Sequence, residues 1–194
     1  MIVAAVILGC LAGIFIVPPE LAGKTDLFMD IGLCLLLVLV GIDIGKQKGI
    51  LKEVKKLGKS LIVIPLLIAL GSIVGGIVSG FIFQMPFNEG GAIGAGFGWY
   101  SLSAVILADY SNELSALAFL TNVIRELFAI MLIPLIAKYI GYAEAVAPSG
   151  ATAMDTTLPI ITRYTDAKTS VLAFVSGVVL STLVPIVVPI IIGL

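Results

Sequence analysis

Long apolar runs follow one another along almost the whole chain, and they constrain the fold more than any other feature. A helix needs roughly 20 mostly apolar residues to cross a bilayer, and runs near that length recur from Ile2 to Leu194. Of all residues, 60% are hydrophobic and 12% are charged, whereas soluble domains have about 45–50% and about 25%. The pattern predicts an all-α polytopic membrane protein, with residues 1–194 forming one transmembrane domain.

The apolar segments predict about seven crossings. They are Ile2–Val17, Leu27–Gly45, Leu61–Phe83, Gly90–Ala108, Leu114–Ile140, a segment through Pro148–Pro159, and Ser170–Leu194. This arrangement places the lysine-rich stretch 46–59, Arg163 and Lys168 on one side, and only Lys24 and Lys138 on the other. Because basic loops remain in the cytoplasm, we expect a cytoplasmic N-terminus, an external C-terminus and insertion in the cytoplasmic (inner) membrane.

The stretch Pro148–Pro159 is unsuited to a regular helix, since it combines two prolines, a glycine, several hydroxyl groups and one carboxyl group. Its polar residues include Ser149, Thr152, Asp155 and Thr156. One interpretation is a surface loop between two helices. The other is a discontinuous helix, which is tolerated at membrane depth only where it is buried or lines a wet cavity and which forms substrate and ion sites in secondary transporters.

Three polar residues, Asn122, Arg125 and Glu126, lie well inside the apolar segment Leu114–Ile140. Each charged group at such a depth costs about 2.5–3.5 kcal/mol on insertion scales. At helical spacing Asn122 and Glu126 share one face, whereas Arg125 projects about 100° away. Arg125 is therefore free to pair with a carboxylate on another helix or with carbonyl groups of a broken helix. The set is either a functional site or a buried clamp between helices.

The segment Gly90–Ala108 begins with a glycine-rich half, which is a weak helix former, and continues as Gly98-Trp-Tyr-Ser-Leu-Ser103. In one interpretation the glycines allow close helix packing and Trp99 and Tyr100 anchor the segment at the membrane interface. In the other, Trp99 and Tyr100 form the wall of a binding cavity together with Ser101 and Ser103. Both interpretations remain open.

Several classes of function are disfavoured by composition. The chain has no histidine, which excludes catalysis by imidazole and metal sites with histidine ligands. We expect no cofactor, no metal and no enzyme activity. The net charge of −1 argues against nucleic-acid binding. Cys10 and Cys34 lie in apolar runs and are expected to be packing residues.

Counting segments also predicts an inverted-repeat transporter. If residues 61–194 form a five-helix repeat whose fourth helix contains Pro148–Pro159, then residues 1–60 are the end of an opposite repeat plus a basic cytoplasmic turn. Ile2–Val17, which is short and ends at a proline pair, would be the matching discontinuous helix. Three helices would then be missing, which predicts a homodimer or a separate three-helix membrane subunit.

Three motifs carry a resemblance to a known family: Gly98–Ser103, Asn122–Glu126 and Ser149–Pro159. In this order and spacing they resemble the signatures of the LysO-type lysine exporter family, in a short form that lacks an N-terminal helical region. The resemblance implies export of L-lysine and close analogues across the bacterial inner membrane, with two intramembrane acids at positions matching Glu126 and Asp155.

Lysine has one carboxylate and two ammonium groups, which suit these residues. Glu126 and Asp155 are expected to meet an ammonium group or to carry an exchanging proton, because desolvation favours the neutral carboxyl and a nearby cation favours the ionised one. Arg125, or amides of a half-helix near Ser149, would bind the carboxylate. We expect lysine export in exchange for protons. The alternative is a cation/proton antiporter or a channel-like subunit.

Overall fold

The computed structural model describes residues 57–194 and isolated positions between 31 and 55. The predicted segments Ile2–Val17 and Leu27–Gly45 and most of the lysine-rich stretch lie outside the described residues. The chain divides into two compact units, Met1–Asp43 and Ile44–Leu194. The helices below belong to the second unit, and the predicted division into repeats at residue 60 stays a prediction.

Three long helices are apolar enough to cross a membrane: α1 (Ser60–Ile82), α4 (Asn112–Tyr139) and α6 (Ala167–Ile192). Their positions confirm three of the predicted segments to within a few residues. Polar residues cap two of them, since Ser111 Oγ accepts from Leu114 N at 3.4 Å and Asp166 Oδ1 accepts from Thr169 N at 2.7 Å. Each cap satisfies a backbone donor at a helix N-terminus.

Two shorter elements lie between the long helices. The first hairpin consists of α2 (Phe87–Gly94), the turn 95–99 and α3 (Tyr100–Ala108). The second hairpin, residues 144–164, consists of two 3₁₀ turns, Glu144–Val146 and Gly150–Met154, followed by α5 (Leu158–Tyr164). Residues 57–194 contain no strand, so this described part of the chain is all-α as predicted.

The first hairpin turns back at its middle and does not cross. Residues at its start and at the beginning of α4, namely Glu89, Ser111 and Glu113, line one cavity. Asn88 Nδ2 also donates to Ile192 O at 3.3 Å, which places the end of α6 at this same end. We call it the Ile82 end, after the last residue of α1.

The second hairpin enters from the opposite end and also turns back. Ile64 near the start of α1 shares a groove with Ala143 and Glu144 after α4, which defines the Ser60 end. Because α6 finishes at the Ile82 end, its first residue, Ala167, lies at the Ser60 end. Residues 144–164 therefore leave from and return to the Ser60 end.

Two predicted crossings are corrected by this arrangement. Gly90–Ala108 and the segment through Pro148–Pro159 are re-entrant hairpins, so residues 57–194 contain three candidate spans. The count of seven crossings is not supported. The predicted inverted repeat and its three missing helices were derived from that count, so they no longer have that support. The physical reason is that both turns find tertiary hydrogen-bond partners, so neither needs to continue as a helix across the membrane.

The tips of the hairpins meet near the middle of the long helices. Ala151 N donates to Phe97 O at 2.7 Å. Phe97 and Gly98 both have positive φ, 48° and 98°, and Gly150 has φ 63°. A Cβ at Gly150 would collide with Phe97 O, so only glycine allows both the left-handed backbone and the close approach of the two tips.

Candidate functional site

A cavity of about 110 Å³ lies where the two hairpin tips and α4 converge. Five predicted site residues line it: Ser101, Glu126, Thr152, Asp155 and Thr156. Gly98, Trp99, Tyr100, Ala151, Met154 and Ser181 complete the lining. The cavity thus combines an acid from an intact helix with an acid from the second hairpin.

Thr156 connects the two carboxyl groups. Its Oγ1 donates to Glu126 Oε1 and lies 3.3 Å from Asp155 Oδ1. Its backbone N–H also donates to Asp155 Oδ1 at 2.6 Å. The hydroxyl carries a single proton, so it can donate fully to one carboxylate at a time.

The N-terminus of α3 forms another wall of the cavity, since Trp99, Tyr100 and Ser101 line it. Its N-cap, Trp99, makes no side-chain capping bond. The first regular backbone bond here is Ser103 N to Trp99 O at 3.0 Å, and among the described residues the amides of Tyr100 and Ser101 have no partner. Uncapped amides at a helix N-terminus attract an anion. The cavity therefore has a negative wall and a positive wall.

Arg125 does not line this cavity. Its Nε donates to Pro148 O at 2.9 Å, and its Nη1 donates to Ser72 Oγ at 2.7 Å. Nη2 is 3.4 Å from Ala147 O. The guanidinium thus satisfies carbonyl groups of the second hairpin, which was one of the two pairings that the sequence left open.

Asn122 and Ser103 are buried outside the cavity and support the turn of the first hairpin. Asn122 Oδ1 accepts from Gly98 N at 2.7 Å, while its Nδ2 donates to Ala118 O at 2.9 Å and to Ser103 Oγ at 3.5 Å. Ser149 is also fully buried, and its Oγ has no hydrogen-bond partner among the described residues.

Two polar residues that contact these elements were not expected from the sequence. Ser72 Oγ donates to Gly94 O at 2.7 Å while accepting from Arg125 Nη1, so it joins α1 to the first hairpin and to α4. Ser181 of α6 lines the cavity. Both helices also contain other hydroxyl residues, such as Ser79 in α1 and Ser176 in α6. Such residues often bond only to their own helix, so the sequence did not single out Ser72 or Ser181.

A family model described as "Lysine exporter LysO" matches residues 3–192. The chain belongs to this LysO family. It is 37% identical to the Escherichia coli protein "Lysine exporter LysO" over 155 residues, which is 79% of this chain and 51% of that protein. The chain therefore spans about half the length of this LysO relative.

A second relative is the Haemophilus influenzae "Putative lysine exporter", which is 36% identical over 152 residues. These cover 78% of this chain and 77% of that protein. No solved structure matches the chain. The family confirms the resemblance drawn from the three motifs, and it is a family of exporters and not a class of enzymes.

Proposed function

We propose that this chain is the transport unit of a secondary carrier that exports L-lysine and close cationic analogues across the cytoplasmic membrane in exchange for protons. One observation carries the proposal. Glu126 and Asp155 line one cavity with the uncapped N-terminus of α3, at the meeting point of two re-entrant hairpins. Irregular backbone around a polar cavity is the usual construction of transporter sites.

The two walls match the charges of an amino acid. The ammonium groups of lysine would contact Glu126 and Asp155, and its carboxylate would contact the amides of Tyr100 and Ser101. This assigns the carboxylate to α3 in place of the half-helix near Ser149, where the backbone forms a 3₁₀ turn. The proposed contact of Arg125 with substrate would require it to leave the carbonyl groups of the second hairpin.

The cavity volume indicates that substrate entry requires movement. About 110 Å³ is less than the about 300–1,000 Å³ of common small-molecule sites, so the conformation described would hold one polar end of lysine. We expect the hairpin tips to separate when the whole molecule enters. The glycine-rich first hairpin is suited to this movement.

Charge distribution supports the direction of insertion. Among the described residues, Lys59, Lys138, Arg163 and Lys168 lie at the Ser60 end together with the acids Glu144 and Asp166. The described part of the Ile82 end has the acids Glu89, Asp109 and Glu113 and no lysine or arginine. Under the positive-inside rule the Ser60 end is cytoplasmic and the C-terminus is external.

Transport by carboxyl variants tests the proposal. We expect Glu126→Gln and Asp155→Asn each to reduce lysine transport into proteoliposomes by about 100-fold or more, since a positioned proton-transfer group contributes about 10²–10⁴-fold. Glu144→Gln, at an exposed acid outside the cavity, is the matched control. Normal transport by either cavity variant would remove that residue from the mechanism.

A second candidate is a cation/proton antiporter or channel-like subunit, and the small cavity favours it because a metal cation needs less space than lysine. Binding of lysine and of sodium to the purified protein separates the two. A partner, either a second copy or a three-helix subunit, stays a prediction that copurification tests.

A further inference from the structure

We propose that the hydroxyl group of Thr156 relays the exchanged proton between Asp155 and Glu126. This inference rests on the proposed function, since it assigns a path to the proton that the carrier exchanges for lysine. It comes from the geometry of one side chain placed between two acids on different elements. Glu126 belongs to α4, and Asp155 with Thr156 belongs to the second hairpin.

The contacts are those that a relay needs. Thr156 Oγ1 donates its proton to Glu126 Oε1, and the same oxygen lies 3.3 Å from Asp155 Oδ1. A hydroxyl group has one proton to donate and two lone pairs to accept with. When Asp155 is protonated, its O–H can therefore donate to Thr156 Oγ1 while Thr156 Oγ1 donates to Glu126.

The step balances without any further reactant. The Asp155 O–H bond breaks as its proton moves to Thr156 Oγ1, and the Thr156 O–H bond breaks as that proton moves to Glu126 Oε1. The threonine hydroxyl is regenerated, with its new proton directed towards Asp155. Before the transfer Asp155 is neutral and Glu126 is ionised, and after it Asp155 is ionised and Glu126 is neutral. The carboxylate that can pair with an ammonium group of lysine therefore changes from Glu126 to Asp155.

The surroundings of Thr156 hold both acids beside its hydroxyl group. The backbone N–H of Thr156 holds Asp155 Oδ1 at 2.6 Å, which fixes the donor acid beside the relay. The titratable groups that line the cavity among the described residues are Glu126, Asp155 and the phenol of Tyr100. Arg125, although adjacent in sequence to Glu126, bonds to Pro148 O and does not line the cavity.

Neighbouring threonines provide a contrast. Thr157 Oγ1 donates to Thr152 O at 2.8 Å, and Thr162 Oγ1 donates to Leu158 O at 2.9 Å. Both satisfy backbone carbonyl groups, and neither lines the cavity. Thr156 is the threonine of the second hairpin whose hydroxyl contacts carboxyl groups.

The test uses the full chain in proteoliposomes with two assays. The first measures lysine uptake driven by an imposed pH gradient, and the second measures exchange of labelled for unlabelled lysine, which needs no net proton transfer. We expect Thr156→Val to lower pH-driven uptake by about 100-fold, within the range of positioned proton-transfer groups, and to retain exchange. Thr156→Ser, which keeps the hydroxyl, should restore pH-driven uptake, and Thr162→Val should behave as wild type in both.

Three results would overturn the relay. They are wild-type pH-driven uptake by Thr156→Val, failure of Thr156→Ser to restore uptake, and equal loss of both activities in Thr156→Val, which would assign the residue to substrate binding or folding. The proposed function fails in a different way, because wild-type protein itself would then ignore the pH gradient.

Discussion

Asn122 shows how a single side chain fixes a turn at membrane depth. The residue is 2% exposed, and its Oδ1 accepts the N–H of Gly98, where the chain reverses. Its Nδ2 bonds to carbonyl groups on two elements, Ala118 O and Ile93 O. An unpaired backbone donor in an apolar environment is costly, so this one amide allows the first hairpin to end its helix early.

Replacing Asn122 by leucine should therefore destabilise the protein. The substitution leaves Gly98 N–H buried without an acceptor, which costs about 1–3 kcal/mol. Thermal unfolding in detergent measures the effect, with Thr121→Val as the control, since Thr121 is exposed and makes no side-chain hydrogen bond among the described residues. A variant with leucine at position 122 that unfolds at the wild-type temperature would contradict this role.

At the scale of elements, the first hairpin depends on close packing between α1 and α2. The contact involves one glycine of the small-residue run 71–76 in α1. A Cβ at Gly76 would collide with Gly90 O and lie 2.9 Å from Gly94 Cα. In contrast, a Cβ at Gly71 or Gly75 would meet no atom within 4 Å among the described residues.

This difference gives a paired prediction. Gly76→Leu must push α2 away from α1, and we expect it to lower the free energy of unfolding by about 1–3 kcal/mol or more, as overpacking does. Gly71→Leu makes the same chemical change where space is open, and leucine has the better helix propensity, so stability should be unchanged or slightly higher. Size-exclusion profiles and thermal unfolding compare the two, and equal effects would refute the packing argument.

For the whole molecule, the two hairpins decide which residues share a side of the membrane. Continuous crossings would put Asp109 on the side of Lys59 and Tyr142 on the side of Glu89. The re-entrant arrangement reverses both assignments, because the first hairpin returns to the end from which it enters.

Labelling of introduced cysteines by an impermeant maleimide tests this topology. In a background with Cys10→Ser and Cys34→Ser, we expect Lys59→Cys, Tyr142→Cys and Lys168→Cys to react from one side. Cysteines introduced at Glu89 and Asp109 should react from the other side. Reaction of position 109 from the same side as position 59 would show that the first hairpin crosses the membrane.

The sequence by itself determined three things: that the chain lies in a lipid bilayer, where the three long helices are, and which residues build the site. These are local properties, because the length of an apolar run and the demand for internal backbone bonds act within one segment. The family motifs also contain Glu126, Asp155 and Thr156. The sequence could not separate a cavity-lining Ser101 from a buried Ser103, since both fit either a wall or a packed helix.

Only the tertiary structure decided that two segments turn back. Reversal depends on contacts between distant parts of the chain, such as Ala151 N with Phe97 O and Arg125 with Ser72, and no local pattern contains them. Arg163 and Lys168 still lie at the same end as Lys59, as predicted, because removing two crossings leaves their side unchanged. Lys138, predicted on the other side, also lies at this end. A helix forms through backbone hydrogen bonds within one segment. After a helix breaks, the direction of the chain depends on which distant group bonds to the freed backbone groups.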